Sequence, residues 1–194
     1  MGRSKEEKKS ALLAVAREMF DRYGPHKVTL DDIARAAGMA VPSLYYYFPS
    51  KSELLREVVV AEHREMLGAI ERRVAAAAGP EQKLLELSRL VFEKMRKLSR
   101  LPGMSRGERM SMFAEIEQEA QRFKQAIVEI IEGILVEGLR QGVFEVERPD
   151  LAARMFAAGL RGLFETVLDG EFPEDDLEGL ERMCGFLVRG IKRR

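Results

Sequence analysis

The 194-residue sequence contains no tryptophan, one cysteine and two histidines. A lone Cys184 excludes an internal disulfide and fits a reducing compartment. With only His26 and His63 beside it, no clustered Cys/His ligand set for a metal is present. Long apolar runs are missing too. Stretches such as Val58–Ala61 and Val74–Ala78 fall far short of the ~18 residues of a membrane span. The polar start, MGRSKEEKKS, does not read as a signal peptide, and Glu6 stands where a myristoylation signal on Gly2 needs Ser or Thr. A cytoplasmic protein without membrane contact is expected. There is no Gly-rich phosphate loop, activated nucleophile or pair of catalytic carboxylates. The acidic runs at 115–119 and 174–178 read as solvated helix faces. No enzyme and no cofactor are therefore expected. Nor is there an excess of one charge: 32 Lys and Arg balance 32 Asp and Glu. Residues 1–60 carry ten of the former and eight of the latter. That weak asymmetry is compatible with a DNA-binding end but does not identify one.

Apolar residues recur at three and four spacing nearly everywhere, with Gly or Pro as punctuation. The pattern predicts an all-α fold of nine helices. The first carries Leu12, Val15, Ala16, Met19 and Phe20 and ends near Gly24-Pro25. The second opens at Thr29, where "TLDD" approximates a capping box, and breaks at Gly38. A short third helix starts near Val41. "SKSE" (Ser50 to Glu53) caps a long fourth helix to about Ala78. A fifth runs from Gly79-Pro80 to about Leu98, and a sixth from the "SRGE" box at Ser105 to about Ile116. The seventh runs from about Gln118 to Gly142, the eighth from about Asp150 to Leu168, and the last, after Pro173, to about Ile191. The expected division is a helix-turn-helix domain over 1–49 (motif 29–48) and a second helical domain over 50–194, the latter being the effector-binding and dimerisation domain in the resemblance described below.

The aromatics are concentrated in "AVPSLYYYFPSKSELL", from Ala40 to Leu55. Thr29 to Phe48 reads as helix, tight turn, helix. Ala34 and Leu44 suit close helix packing, and Gly38 supplies an unusual backbone conformation in the turn. Leu44 and Phe48 share a buried side at i, i+4 spacing. That leaves Val41, Pro42, Ser43 and Tyr45 toward the N-terminal end, as in a helix that enters the major groove end-on. Val41 and Pro42 offer apolar contact to thymine methyls. Tyr45 and Tyr47 suit phosphates at the rim, and Tyr46 suits the core edge or a backbone contact. Lys51 and Thr29, at the starts of the flanking helices, are placed as phosphate clamps from either side. His26 is a loop residue near the same surface. The alternative is a packed helical corner whose tyrosines are core.

The order of residues favours the first reading. Gly24, Thr29, Ile33, Ala34, Ala37, Gly38, Leu44, Tyr45, Tyr47, Phe48, Lys51 and Leu54 match the pattern T-x-x-x-I-A-x-x-A-G, then L-Y-x-[YH]-F-x-x-K-x-x-L, after a helix-ending Gly. In this the sequence resembles the TetR family of bacterial transcriptional regulators, over about residues 8–56. Two positions depart: Ala40 stands where the family often has a capping Ser, so Ser43 or a neighbour is expected to compensate. Pro42 stands where it often has Gly. The resemblance implies a homodimer on double-stranded DNA at a palindromic operator. It implies repression relieved by a small molecule in the C-terminal domain, with the long fourth helix transmitting the motion.

In the remainder, Ala153, Ala157, Leu160 and Phe164, beside Gly159 and Gly162, form one stripe, and Leu180, Cys184 and Leu187 another. Small residues permit close approach, and the pair reads as a four-helix dimer interface, the alternative being ordinary core. Cys184 is expected to be buried and unreactive. Phe92, Met95, Met104, Met112, Phe113, Ile116 and Phe123 form a Met- and Phe-rich set that suits an adaptable, largely apolar effector pocket, again with plain core as the alternative. The stretch from Ser99 to Gly107 reads as a connection that gates entry.

Overall fold

A computed structural model describes residues 4–99, 107, 114, 116–168 and 177–191. Among these it shows eight helices: α1 (Lys5–Tyr23), α2 (Leu30–Ala36), α3 (Val41–Tyr47), α4 (Lys51–Ala76), α5 (Pro80–Ser99), α6 (Glu117–Arg140), α7 (Pro149–Leu168) and α8 (Leu177–Gly190). The helix expected over about 105–116 lies largely outside the described residues, as do Met104, Met112 and Phe113. Extended structure among the described residues is limited to an isolated bridge at Phe144. Among the described residues no helix is long and apolar enough to cross a membrane.

The local signals that start and stop these helices are explicit. At α1, the Ser4 hydroxyl accepts from Glu7 N–H while the Glu7 carboxylate accepts from Ser4 N–H, a reciprocal cap ahead of the first core position, Leu12. Gly24, at φ 82°, ends the helix. The same reciprocal cap joins Thr29 and Asp32 at α2. At α4 the Ser50 hydroxyl caps Glu53 N–H, and the Glu53 carboxylate is engaged by Arg56.

The described residues form two compact units. The first comprises those within Met1–Arg64 and Arg100–Ala120. Its core joins Leu12, Ala16 and Phe20 of α1 to Ile33 and Ala34 of α2, to Leu44 and Phe48, and to Leu54, Leu55 and Val58 of α4. The unit therefore extends past the expected boundary at 49/50, because the first turns of α4 fill its core. Ion pairs Lys9–Glu57 (3.2 Å) and Arg17–Glu62 (3.1 Å) hold α1 along α4.

The second unit comprises the described residues within Glu65–Ser99 and Gln121–Arg194. In it α5 packs on both α7 and α8. Leu84, Leu87, Val91 and Phe92 of α5 meet Ile131 and Leu135 of α6, Ala153, Phe156 and Leu160 of α7, and Cys184 and Val188 of α8. Arg73–Glu86 (3.0 Å) and Lys83–Glu137 (2.7 Å) tie α5 to its neighbours. Helix α6 ends in a Schellman turn: Gly142 sits at φ 69°, Val143 N–H donates to Gly138 O at 2.8 Å, and Gly142 N–H to Leu139 O at 3.1 Å. The turn folds the buried Phe144 ring back onto Gly138, where any Cβ would overlap it. Gly138→Ala is therefore expected to lower stability by about 1–3 kcal/mol through overpacking. Urea unfolding checks this; an unchanged midpoint would show that the ring has room to move.

Candidate nucleic-acid interface

The turn between α2 and α3 is built by the α2 C-terminus. Gly38 N–H donates to Arg35 O at 3.1 Å and Met39 N–H to Ala34 O at 3.0 Å, with Gly38 at φ 65°. Nothing crowds a Cβ at Gly38, so the positive φ alone demands glycine there. The chain then enters α3 from Ala40, whose cap position makes no side-chain hydrogen bond. The compensation expected from Ser43 is absent at that cap. Pro42, needing no N–H partner, occupies the first turn instead.

Leu44 and Phe48 are fully buried, as their spacing predicts. Because they face inward, Pro42, Ser43, Tyr45 and Tyr46 face outward. Tyr45 is 47% exposed and Tyr46 70%, high values for tyrosine. Tyr47 is half-buried at the core edge, its ring set edge-on to that of Tyr46 at 5.4 Å. Val41 is likewise half-buried against the core, which diverts part of its surface from the outward face. Sequence pattern alone puts Tyr47 at the rim and Tyr46 at the core edge or against a backbone; the structure sets Tyr47 at the core edge and leaves Tyr46 exposed. Helical rotation by about 100° per residue accounts for it, since Tyr47 follows Leu44 by three positions and shares its side.

The two flanking positions carry structural duties. The Thr29 hydroxyl donates to Asp32 Oδ2 at 2.6 Å, so its hydrogen is already committed and a carboxylate stands beside it. Those hydrogen bonds from Thr29, hydroxyl first and backbone second, hold the Asp32 carboxyl below the usual Asp range. Lys51 Nζ donates to His26 O at 3.2 Å, using one of three N–H donors to pin the start of α4 to the α1–α2 loop. A groove beside α3, lined by Lys8, Ala11 and Val15 of α1, by Met39, and by Ser43, Tyr46 and Tyr47, brings the first turns of α1 to the α3 face. Sequence pattern alone gives α1 no part there.

The other candidate sets divide differently. Of the effector-pocket set, Phe92 and Phe123 belong to the core of the second unit, Phe92 fully buried, whereas Ile116 is packed in the core of the first. The side chain of Met95 lies outside the described residues. Of the dimer set, Ala153, Ala157, Leu160 and Cys184 are buried in the second unit's own core, where α5 covers them. Leu187 is 39% exposed, and the side chains of Phe164 and Leu180 lie outside the description. Among the described residues, the other large apolar side chains exposed on these helices are Leu151 (49%), Met155 (67%) and Phe186 (71%). The i, i+4 pair Leu151/Met155 was the available signal for this second stripe.

A family model described as bacterial regulatory proteins, tetR family, matches residues 12–58. The chain is 30% identical over 146 residues to the HTH-type transcriptional repressor KstR2 of Mycolicibacterium smegmatis, covering 74% of this chain and 69% of that protein. It is 30% identical over 86 residues to the HTH-type transcriptional regulator BetI of Agrobacterium fabrum, 44% of this chain and 42% of that protein. With several such relatives the match spans less than half of their length. The fold superposes on the crystal structure of a transcriptional regulator from Cytophaga hutchinsonii with a TM-score of 0.82, at 25% identity, covering 95% of this chain and 98% of that one.

The Thr29–Asp32 cap has a pH signature. Because the Asp32 pKa is depressed in the folded chain, its contribution is complete above the usual Asp pKa and is lost as pH falls through the folded value. Carboxyl-carbon NMR should find the Asp32 midpoint below that of an unperturbed Asp, and Thr29→Ala, which removes the hydroxyl but not the backbone N–H, should raise it toward the ordinary range. An Asp32 midpoint indifferent to that substitution would contradict the cap as drawn.

Proposed function

The chain belongs to the tetR family of bacterial regulatory proteins, and from that premise we propose that it is a homodimeric DNA-binding repressor of a palindromic operator, released by a small, largely apolar effector bound in the second unit. The observation that carries the DNA-binding part is the outward face of α3. Pro42, Ser43, Tyr45 and Tyr46 stand exposed on a helix whose opposite side buries Leu44 completely. Pro42 and Ser43, in its first turn, are placed to meet base edges. Tyr45 is placed to meet a phosphate, and Lys51, whose length lets it hold His26 and still present charge, lies at the next helix start. Thr29 serves this face indirectly, by fixing the entry of α2. An overall neutral chain is no obstacle, since duplex affinity depends on local cations and hydrogen-bond donors at the groove.

The homodimer is supported by Leu151 and Met155 on α7 and Phe186 and Leu187 on α8, apolar side chains left exposed on helices already packed on one side. Gly159 lies between the two sets, a Cβ there coming within 3.7 Å of Leu187. A second copy of the chain, related by a two-fold axis, would cover this self-complementary patch, two helices from each copy making a four-helix bundle. The effector reading rests on the Met- and Phe-rich composition of residues 92–123. The relative KstR2 is itself named a repressor.

Operator selection from a random duplex pool, followed by a mobility-shift assay, tests the central reading. Tyr45→Ala is expected to weaken binding on the order of tenfold with the melting temperature unchanged, because the ring is half exposed. Unchanged affinity would sink the placement of the interface on α3. Separately, Met155→Glu combined with Phe186→Glu is expected to turn a sedimenting dimer into a monomer and to weaken operator binding in step. A double variant that still sediments as a dimer would move the interface elsewhere.

A further inference from the structure

The one aromatic of α3 that stands farthest into solvent is held by a cation from another helix. Lys5 Nζ lies 4.8 Å from the centre of the Tyr46 ring and 3.4 Å from its hydroxyl oxygen. Among the described residues Lys5 is the partner of that hydroxyl. The ring is further oriented by its edge-on contact with Tyr47, itself fixed at the core edge. Tyr46 is thus exposed yet held in one direction by two neighbours.

The chemistry of the pair is directional. A phenol has one O–H to donate and lone pairs to accept. Lys5 takes the acceptor side, which leaves the Tyr46 hydrogen to be donated outward. The group that satisfies it best is one that only accepts and carries negative charge. Lys5 also occupies the first position of α1, where the helix dipole disfavours a cation. Helix stability in that turn comes from Glu6, Glu7 and the Ser4 cap, so it does not account for the lysine. An anion at this spot would relieve the repulsion. Lys8, one turn on, lines the same groove as Tyr46.

We propose that Lys5 and Tyr46 form a composite clamp for one phosphate of the DNA backbone, extending the nucleic-acid interface from α3 onto the start of α1. This rests on the reading of α3 as the DNA-contacting helix. In the clamp the Tyr46 hydroxyl donates to a phosphate oxygen while the Lys5 ammonium, turning on its flexible stem, neutralises it. Tyr46 is then a direct contact, and Lys5 both contacts phosphate and positions Tyr46. A phosphate contact carries no sequence information. Losing it should weaken operator and unrelated duplexes by the same factor and leave the selected operator sequence unchanged.

The test uses the full chain, the operator selected by the wild-type protein, and an unrelated duplex of equal length, each over a salt series. Lys5→Ala is expected to lower the slope of log affinity against log salt by about one. Tyr46→Phe keeps the ring and its contact with Lys5 but loses the hydroxyl. It is expected to weaken both duplexes about equally, by several-fold. The double variant should lose less than the product of the single losses, because the two side chains act on one phosphate. An unchanged slope in Lys5→Ala, or wild-type affinity in Tyr46→Phe, overturns the clamp. If Tyr45→Ala still weakens binding about tenfold while these two variants behave as wild type, the α3 interface stands and only the clamp falls. Failure of the wild-type chain to bind any duplex overturns both.

Discussion

Helix α3 cannot hold its own shape. It has seven residues, and isolated helices shorter than about 12–15 residues are marginal in water. It also lacks a side-chain cap. What holds it is the burial of Leu44 and Phe48, neither of which leaves any surface to solvent. Burying a Leu or Phe side chain contributes about 1.5–3 kcal/mol each, more than the roughly 1 kcal/mol that a cap supplies. The outward face is a consequence of that constraint. Once positions 44 and 48 point inward, positions 42, 43, 45 and 46 have nowhere to go but out. Gly38 sets where the helix starts, and its positive φ lets α2 close its own end while turning the chain toward Ala40.

Charge serves this unit by fixing direction more than by adding stability. Lys9–Glu57 and Arg17–Glu62 are partly exposed pairs of a kind usually worth under about 1 kcal/mol. Their value lies in register, since each joins α1 to α4 at a defined height. Glu119 differs. It is 7% exposed, so its carboxylate needs compensation, and Arg56 approaches it at 3.4 Å. Arg56 also holds Glu53 at 2.6 Å, and the bond to Glu53, with that to Glu119 behind it, raises the guanidinium pKa further above its already high range. One cation thereby orders the first turn of α4, the turn in which Lys51 reaches back to His26.

The parts of this molecule that were legible in the sequence are those decided locally. Thr29 with Asp32, Gly38, and Leu44 with Phe48 are each determined within a few residues by capping, backbone conformation or helical spacing. The capping box at Ser4 and Glu7 was equally local and was available to be read. The α7 and α8 faces were not legible in the same way. Each helix has more than one apolar stripe, and which stripe meets the core depends on α5, far away in sequence. The Ala153, Ala157, Leu160 stripe went inward because small residues let α5 approach, leaving Leu151 and Met155 outside. Ile116 and Phe92 look alike in a sequence but fill different cores.

Three adjacent tyrosines invite a single explanation, and a helix rules one out. Each residue is turned by about 100° from the last, so Tyr45, Tyr46 and Tyr47 meet three different surroundings. Tyr47 falls on the side of Leu44 and becomes a half-buried anchor. Tyr46 is swung toward α1, where Lys5 meets its ring and its hydroxyl. Tyr45 is left half in water. Identical side chains therefore do unlike work: one supports the helix, one depends on α1 for its direction, and one projects from the face alone. The chemistry common to them is an apolar ring that tolerates packing with a hydroxyl that requires a polar partner. That combination suits the boundary between a protein core and water, which is where α3 puts all three.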